Sequence, residues 1–250
     1  MKICSTHLDT DWNALRPKLN MGDVEAWEEA VIILERRMNE RFFNCIDLLV
    51  KAGKDDLQKQ FETGCATITA GFSIMALCCI LVETLEAFYE GHIMEPPLIP
   101  DHPCEYPRGA CLRTPQLQET TDPCHWPDEG PCVRTPPTAR SFTQFLKNSP
   151  HFKDFTGKAR NSFSQQIRNG LLHDAETRGG WLIRMCEPSD RIVERRGDKY
   201  LLNRTKFYEA LKAEFDDYLG RLKNPENATL RSNFLKKMDN ICQYEPTVQG

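Results

Sequence analysis

"CATITAGFSIMALCCILV", residues 65–82, is a run of eighteen uncharged residues, and its reading decides the fold. A bilayer core needs about 20 apolar residues, so the run approaches the length of a membrane span. It equally suits a helix buried on all sides at the centre of a bundle. The flanks separate the two readings. Glu62 precedes the run, Glu83 and Glu86 follow at once, and no Lys/Arg cluster anchors either end, whereas membrane helices carry such anchors. Thr67, Thr69, Gly71 and Ser73 dilute its apolar character. The expectation is a central bundle helix over 58–90, and no membrane.

The flanking segments read as further bundle helices. Over 23–52, Trp27, Val31, Leu34, Met38, Phe42, Cys45 and Leu49 recur at steps of three and four, the period of one helix face. Asp23 is placed to cap this helix and Gly53 to stop it. Glu35, Arg36, Arg37, Glu40 and Arg41 interleave with the stripe and read as a solvated face. Residues 141–148 start a helix capped by Ser141, and Pro150 interrupts it. A third long helix is expected over 152–177, with Phe155, Ala159, Phe163, Ile167 and Leu171 on one face and Gly179-Gly180 at its end. "WLIRM", "RIVER" and "KYLLN" read as two or three short strands or a hairpin. A helix near 204–223 and a shorter one at "LRSNFLKKM" close the chain. The fold class is all-α: a helical bundle with a small β-hairpin.

Composition excludes several classes. Hydrophobic content of 40% and charged content of 27% suit a globular chain. The net charge of −4 does not by itself draw nucleic acid. Its distribution is uneven: residues 1–100 carry 9 Lys/Arg against 16 Asp/Glu, and residues 140–206 carry 14 against 7. A basic stretch of this kind either attracts a polyanion or pairs with the acidic half. The N-terminus, "MKICSTHLDTDWNAL", has no apolar signal core. With an odd count of eleven cysteines in a long chain, reduced thiols in a cytoplasm are expected.

Residues 96–137 break the helical pattern, for eleven of the sixteen prolines fall there. "PCEYPRGACLRTP" (103–115) and "PCHWPDEGPCVRTP" (123–136) are two copies of one short module. Cys104, Cys111, Cys124 and Cys132 are spaced x6 and x7, wider than the x2 to x4 that zinc fingers prefer. Two readings stay open: a zinc site, with His102 and His125 as spare ligands, or an exposed insertion with free thiols. The organisation is therefore N-terminal helices in 1–95, the insertion in 96–139, and motif helix, hairpin and C-terminal helices of the same bundle in 140–250.

"QQIRNGLLHDAE" (165–176) carries the candidate chemistry. Asn169 and His173 are four apart and neighbours on a helix. Arg168 and His173 are five apart, about 140° around the axis. They converge only if the long arginine curls back, or if Gly170 lets the backbone distort or another helix approach. A histidine can move a proton near neutral pH, and a guanidinium matches phosphate oxygens with a fork of donors. Such a pair can deprotonate a ribose 2′-OH and stabilise the attacked phosphate. The competing reading is a solvated helix edge. His173-Asp174 matches the pair of metal-dependent phosphohydrolases, but no partner ligands fall at suitable spacing. Cys78-Cys79 reads as core packing. No P-loop, dinucleotide-binding glycine pattern or nucleophile elbow is present.

"RNGLLH" (168–173) resembles the Arg-Asn-x-x-x-His motif of the HEPN superfamily. "ETLEAFYEG" and "KFYEALKAEFDDYL" also look like segments of stand-alone HEPN-like proteins, and the resemblance covers about 23–95 and 140–222. It implies an all-α bundle and a metal-independent endoribonuclease serving as a toxin or in antiphage defence. Arg168 and His173 would be the catalytic pair, with Asn169 assisting. It also implies a homodimer that brings two motifs together, and an antitoxin or defence-system protein as a further partner. Arg160, Arg178 and Arg184 are candidates to guide RNA. The second reading is an inactive HEPN-fold binding protein that uses the Cys/Pro repeat for a partner or for zinc.

Overall fold

The computed structural model describes residues 1–63, 70–91, 138–184 and 190–244. The central element is a helix running Gly71–Glu90, with Gly91 in the left-handed conformation ending it. It is the fourth helix of the chain, α4, after α1 (Asp9–Asn20), α2 (Val24–Met38) and α3 (Asn44–Thr63). After it come α5 (Thr138–Asn148), α6 (Gly157–Phe163), α7 (Asn169–Asp174), α8 (Arg204–Lys223) and α9 (Ala228–Cys242). Helix α4 touches α3, α5, α7, α8 and α9. The described residues thus belong to one unit assembled from both sides of the insertion, and they are mainly helical.

Helix α4 is long and apolar enough to cross a membrane by length and composition alone, but 56% of its most apolar window is buried against its neighbours. Ile74, Met75, Cys78, Cys79, Leu81, Val82, Leu85 and Phe88 all lie in the core. Burial on all sides is corrected, however. Phe72 is 44% and Ile80 38% exposed, so one edge of α4 stays open.

Helix boundaries differ from expectation where tertiary contacts override local signals. Asp23 caps α2, accepting the Ala26 N–H at 3.1 Å. Gly53 does not stop the next helix, which runs through it to Thr63. A lone glycine costs a helix only about 1 kcal/mol. A π-turn at Asn39–Phe43 separates α2 from α3. The second long helix begins at Gly71 and not at 58. Ser141 lies inside α5, which starts at Thr138. Cys104, Cys111, Cys124 and Cys132 lie outside the described residues with the rest of the 96–139 insertion, except its last two residues, which open α5.

Neither α1 nor the ribbon of β1 (Lys2–Cys4) and β2 (His7–Leu8) is visible in the apolar periodicity. Trp12 is fully buried, and its indole N–H and the Arg16 guanidinium share the Asp239 carboxylate of α9 at 2.8–2.9 Å. The charges at the end of α2 and in the π-turn after it do face solvent, with Arg37 half-buried, and three of them also hold the ribbon. Arg36 donates to Thr6 at 2.7 Å, Arg37 to the Ile3 carbonyl at 2.9 Å, and Glu40 accepts the Ser5 N–H at 2.8 Å.

The second sheet is larger than a hairpin. Its strands β3 (Trp181–Arg184), β4 (Val193–Arg196) and β5 (Lys199–Asn203) lie in the order β3-β5-β4. Strands β4 and β5 form an antiparallel hairpin, while β3 pairs parallel with β5. Trp181 on β3 stacks on Tyr200 at 4.8 Å and meets Phe163 of α6 edge-on at 5.8 Å. Phe163 in turn stacks on Phe207 of α8 at 5.5 Å. Burying each such ring contributes about 1.5–3 kcal/mol. Together they fix the helix that carries Arg168.

Candidate functional site

The expected helix over 152–177 starts later and is not uniform. Pro150–Phe152 forms a single 3-10 turn capped by Ser149, and the chain breaks before α6 begins at Gly157. Between α6 and α7 lies a π-turn, Ser164–Arg168, closed by the Asn169 N–H bonding the Ser164 carbonyl. One extra residue in a turn rotates everything after it by about 100°. In an unbroken helix Arg168 would sit about 80° from Arg160; the extra residue brings it within about 20°. The π-turn therefore turns Arg168 toward the side of Arg160, and its guanidinium meets Glu83 of α4.

There Arg168 is held from two sides. Its Nε donates to Glu83 Oε1 at 2.8 Å, with side-chain exposures of 18% and 28%. Its Nη1 donates to Asn169 Oδ1 at 3.0 Å. With Oδ1 engaged, the Asn169 Nδ2 is left to donate elsewhere. Glu83 is the member of this candidate site that the sequence does not reveal, where it is only the first charge after the apolar run. The one available signal is that an acidic segment faces a basic one.

His173 is exposed at the last turn of α7, and no hydrogen bond or ion pair reaches it among the described residues. It stands one turn beyond Asn169 on the same side of the helix. Arg168 and Asn169 are thus brought together, while His173 is joined to them only through the stripe it shares with Asn169.

The chain leaves the site abruptly. Ala175 adopts the left-handed conformation, φ 54°, and its N–H bonds the Gly170 carbonyl. The Glu176 N–H reaches the same oxygen at 3.2 Å, so one carbonyl closes the helix end. A Cβ on Gly170 would lie 2.4 Å from the Glu176 carbonyl oxygen. Gly170 therefore admits the chain's own exit, not another helix, and Ala175 rather than Gly179 ends the helix. The Arg178 N–H then bonds the Gln166 carbonyl at 2.9 Å and leads into β3.

The three guiding arginines have different settings. Arg160 is half-buried, and its Nε is buried without a partner. Arg178 is exposed and ion-paired with Asp174 one turn back. Arg184 is exposed at the end of β3. Among the described residues, no three His, Cys, Asp or Glu side chains gather to hold a metal ion.

A second constellation sits in the N-terminal ribbon. Cys4 Sγ lies 3.5 Å from His7 Nδ1, and His7 Nε2 lies 2.7 Å from Glu29 Oε1 of α2. Burial pushes the Cys4 thiol up, but hydrogen bonds with Thr6 and His7 outweigh it and hold the thiol below its ordinary value. Burial pulls the His7 imidazole down, and its bonds to Cys4 and Glu29 outweigh that and raise it. Cys4 is 4% exposed, so the trio fastens the ribbon to α2 rather than presenting a nucleophile. The Cys-x-x-His spacing is legible in the sequence; Glu29 is not. No protein-family model, no curated protein and no solved structure matches the chain.

Proposed function

We propose that this chain is a metal-independent endoribonuclease with a HEPN-like bundle, acting as a cytoplasmic homodimer in toxicity or antiphage defence. The observation that carries the reading is the 3.0 Å contact between Arg168 and Asn169, one turn from the exposed imidazole of His173. A phosphate set against this strip meets a guanidinium, an amide donor and a proton acceptor in succession. His173 takes the proton of a ribose 2′-OH, and the 2′ oxygen attacks phosphorus. The bond from phosphorus to the 5′ oxygen breaks, and Arg168 neutralises the charge gathered on the phosphoryl oxygens. The same histidine of the second copy protonates the departing 5′ oxygen. Leu172, 39% exposed beside His173, offers apolar surface for that copy. Arg178 and Arg184, both exposed, are the guides an RNA backbone can reach, whereas the Arg160 Nε is buried.

The test is incubation of the full chain with mixed RNA in EDTA, beside His173→Ala. Cleavage by the parent alone, leaving 2′,3′-cyclic phosphate and 5′-hydroxyl ends, supports the enzyme. One observation favours the second reading, an inactive HEPN-fold binding protein: the Arg168 Nε is already occupied by Glu83 at 2.8 Å. That reading takes over if neither protein cuts RNA and a stable protein partner is recovered instead.

A further inference from the structure

A cavity of about 420 Å³ opens where the C-terminal half of α4 meets α8, the end of α5 and the start of α9. Its walls carry Glu86, Glu90, Glu214 and Glu226 against one guanidinium, Arg221. The volume is that of a small-ligand site. Two of the carboxylates are deeply buried, and they differ in one respect. Glu214, 4% exposed, accepts hydrogen bonds from the Tyr89 hydroxyl at 2.6 Å and from the Ser149 hydroxyl. Glu86, 5% exposed, forms no hydrogen bond and no ion pair among the described residues.

A buried charge without a partner is costly, and chains keep buried carboxylates where something neutralises them. A glutamine or leucine would fill the Glu86 position at no such cost. A proton serves while Glu86 is neutral; for the ionised carboxylate the partner is a cation that can enter the cavity. The carboxylates do not converge on one point, because no three acidic side chains gather for a metal among the described residues. They are spread around a chamber that Tyr89 and Phe145 also line. That arrangement matches a group with several N–H donors on an apolar stem. We propose that this cavity binds a primary alkylammonium group, with Glu86 as its counter-ion and Glu214, oriented by Tyr89 and Ser149, beside it. The same chemistry is presented by a free polyamine and by a lysine side chain of a partner protein.

Protons are linked to this binding. Burial, then Glu90 and Glu214, push the Glu86 carboxyl up to about 7. The other charged or titratable groups on the cavity wall are Tyr89, Glu226 and Arg221, and α5 and α9 contribute only uncharged side chains. An ammonium ion that needs Glu86 ionised therefore expels a proton when it binds below about pH 7.

The experiment is calorimetric titration of the full chain at pH 8 and pH 6, with spermidine in one arm and Nα-acetyl-lysine methylamide in the other. Saturable binding of either amine is expected, weakened about tenfold or more by Glu86→Gln and unchanged by Glu28→Gln on the exposed face of α2. Binding of spermidine alone identifies a free amine; binding of the blocked lysine identifies a partner's side chain. Proton release at pH 6, read in two buffers of different ionisation heat, is expected for the parent whatever the variant does. Absence of saturable binding in both arms, equal affinity in Glu86→Gln, or no proton release overturns the proposal. His173→Ala should bind the amine like the parent, so the cavity and the nuclease reading fail separately.

Discussion

Glu83 and Glu86 stand three residues apart on α4, and their surroundings are opposite. Glu83 faces α7, where the Arg168 guanidinium meets it at 2.8 Å and water reaches both side chains. Glu86 faces α8 and α9, is 5% exposed, and finds only other carboxylates near enough to raise its carboxyl. The same residue type on one helix thus builds two kinds of site. The first carboxylate is neutralised from within and spends its charge on placing an arginine. The second is left without a counter-ion, beside a cavity that can admit one. A carboxylate's function here follows from which distant helix delivers, or withholds, a cation.

The contrast can be broken at several points. The largest effect is expected at the α7 site. His173→Ala should lower RNA cleavage about 100- to 10,000-fold in single-turnover assays. Its melting temperature should match the parent, because the side chain is exposed. A fall in stability together with activity would show that the histidine is structural.

Next comes Glu86→Gln. The folded carboxyl titrates near 7 and the free group near 4.5. The folded state therefore holds the proton more tightly, and the parent loses stability as pH rises from about 4.5 to 7. Above that window the variant should be more stable by about 3 kcal/mol, and near pH 4 the two should coincide. Urea unfolding at pH 4, 6 and 8 checks both the size and the sign. A parent with no slope between pH 5 and 7 would mean that Glu86 is solvated.

Glu83→Gln should act in the opposite direction and more weakly. It exchanges a charged acceptor for a neutral one, costing about 1 kcal/mol in urea unfolding. It also loosens Arg168, so cleavage should fall while the amine affinity stays as in the parent. Smallest is Arg178→Ala, whose exposed pair with Asp174 should matter by less than about 0.5 kcal/mol. A larger loss would place the 174–178 exit among the elements that hold the site.

Much of the bundle was legible because helical periodicity is local. Trp27, Val31, Leu34 and Met38 line one face of α2 at steps of three and four, and all four are buried. Asp23 caps that helix from its own sequence neighbourhood. The π-turns left no comparable mark. Ser164–Arg168 has the composition of an ordinary helix, and its extra residue is tolerated because Phe163 and Ile167 are buried on either side of it. The N-terminal ribbon escaped notice for a related reason, since two- and three-residue strands carry too little pattern and are held by α2.

By itself the sequence determined that helices would dominate, where a capping aspartate would start one of them, and that Asn169 and His173 would share a helix. Each follows from chemistry within one or two helical turns. Only the tertiary structure decided that Arg168 meets Glu83 across 85 residues of chain, and that Glu214 and Glu86 line one cavity. Burial and charge pairing depend on which distant surfaces come together, and no local period encodes that choice.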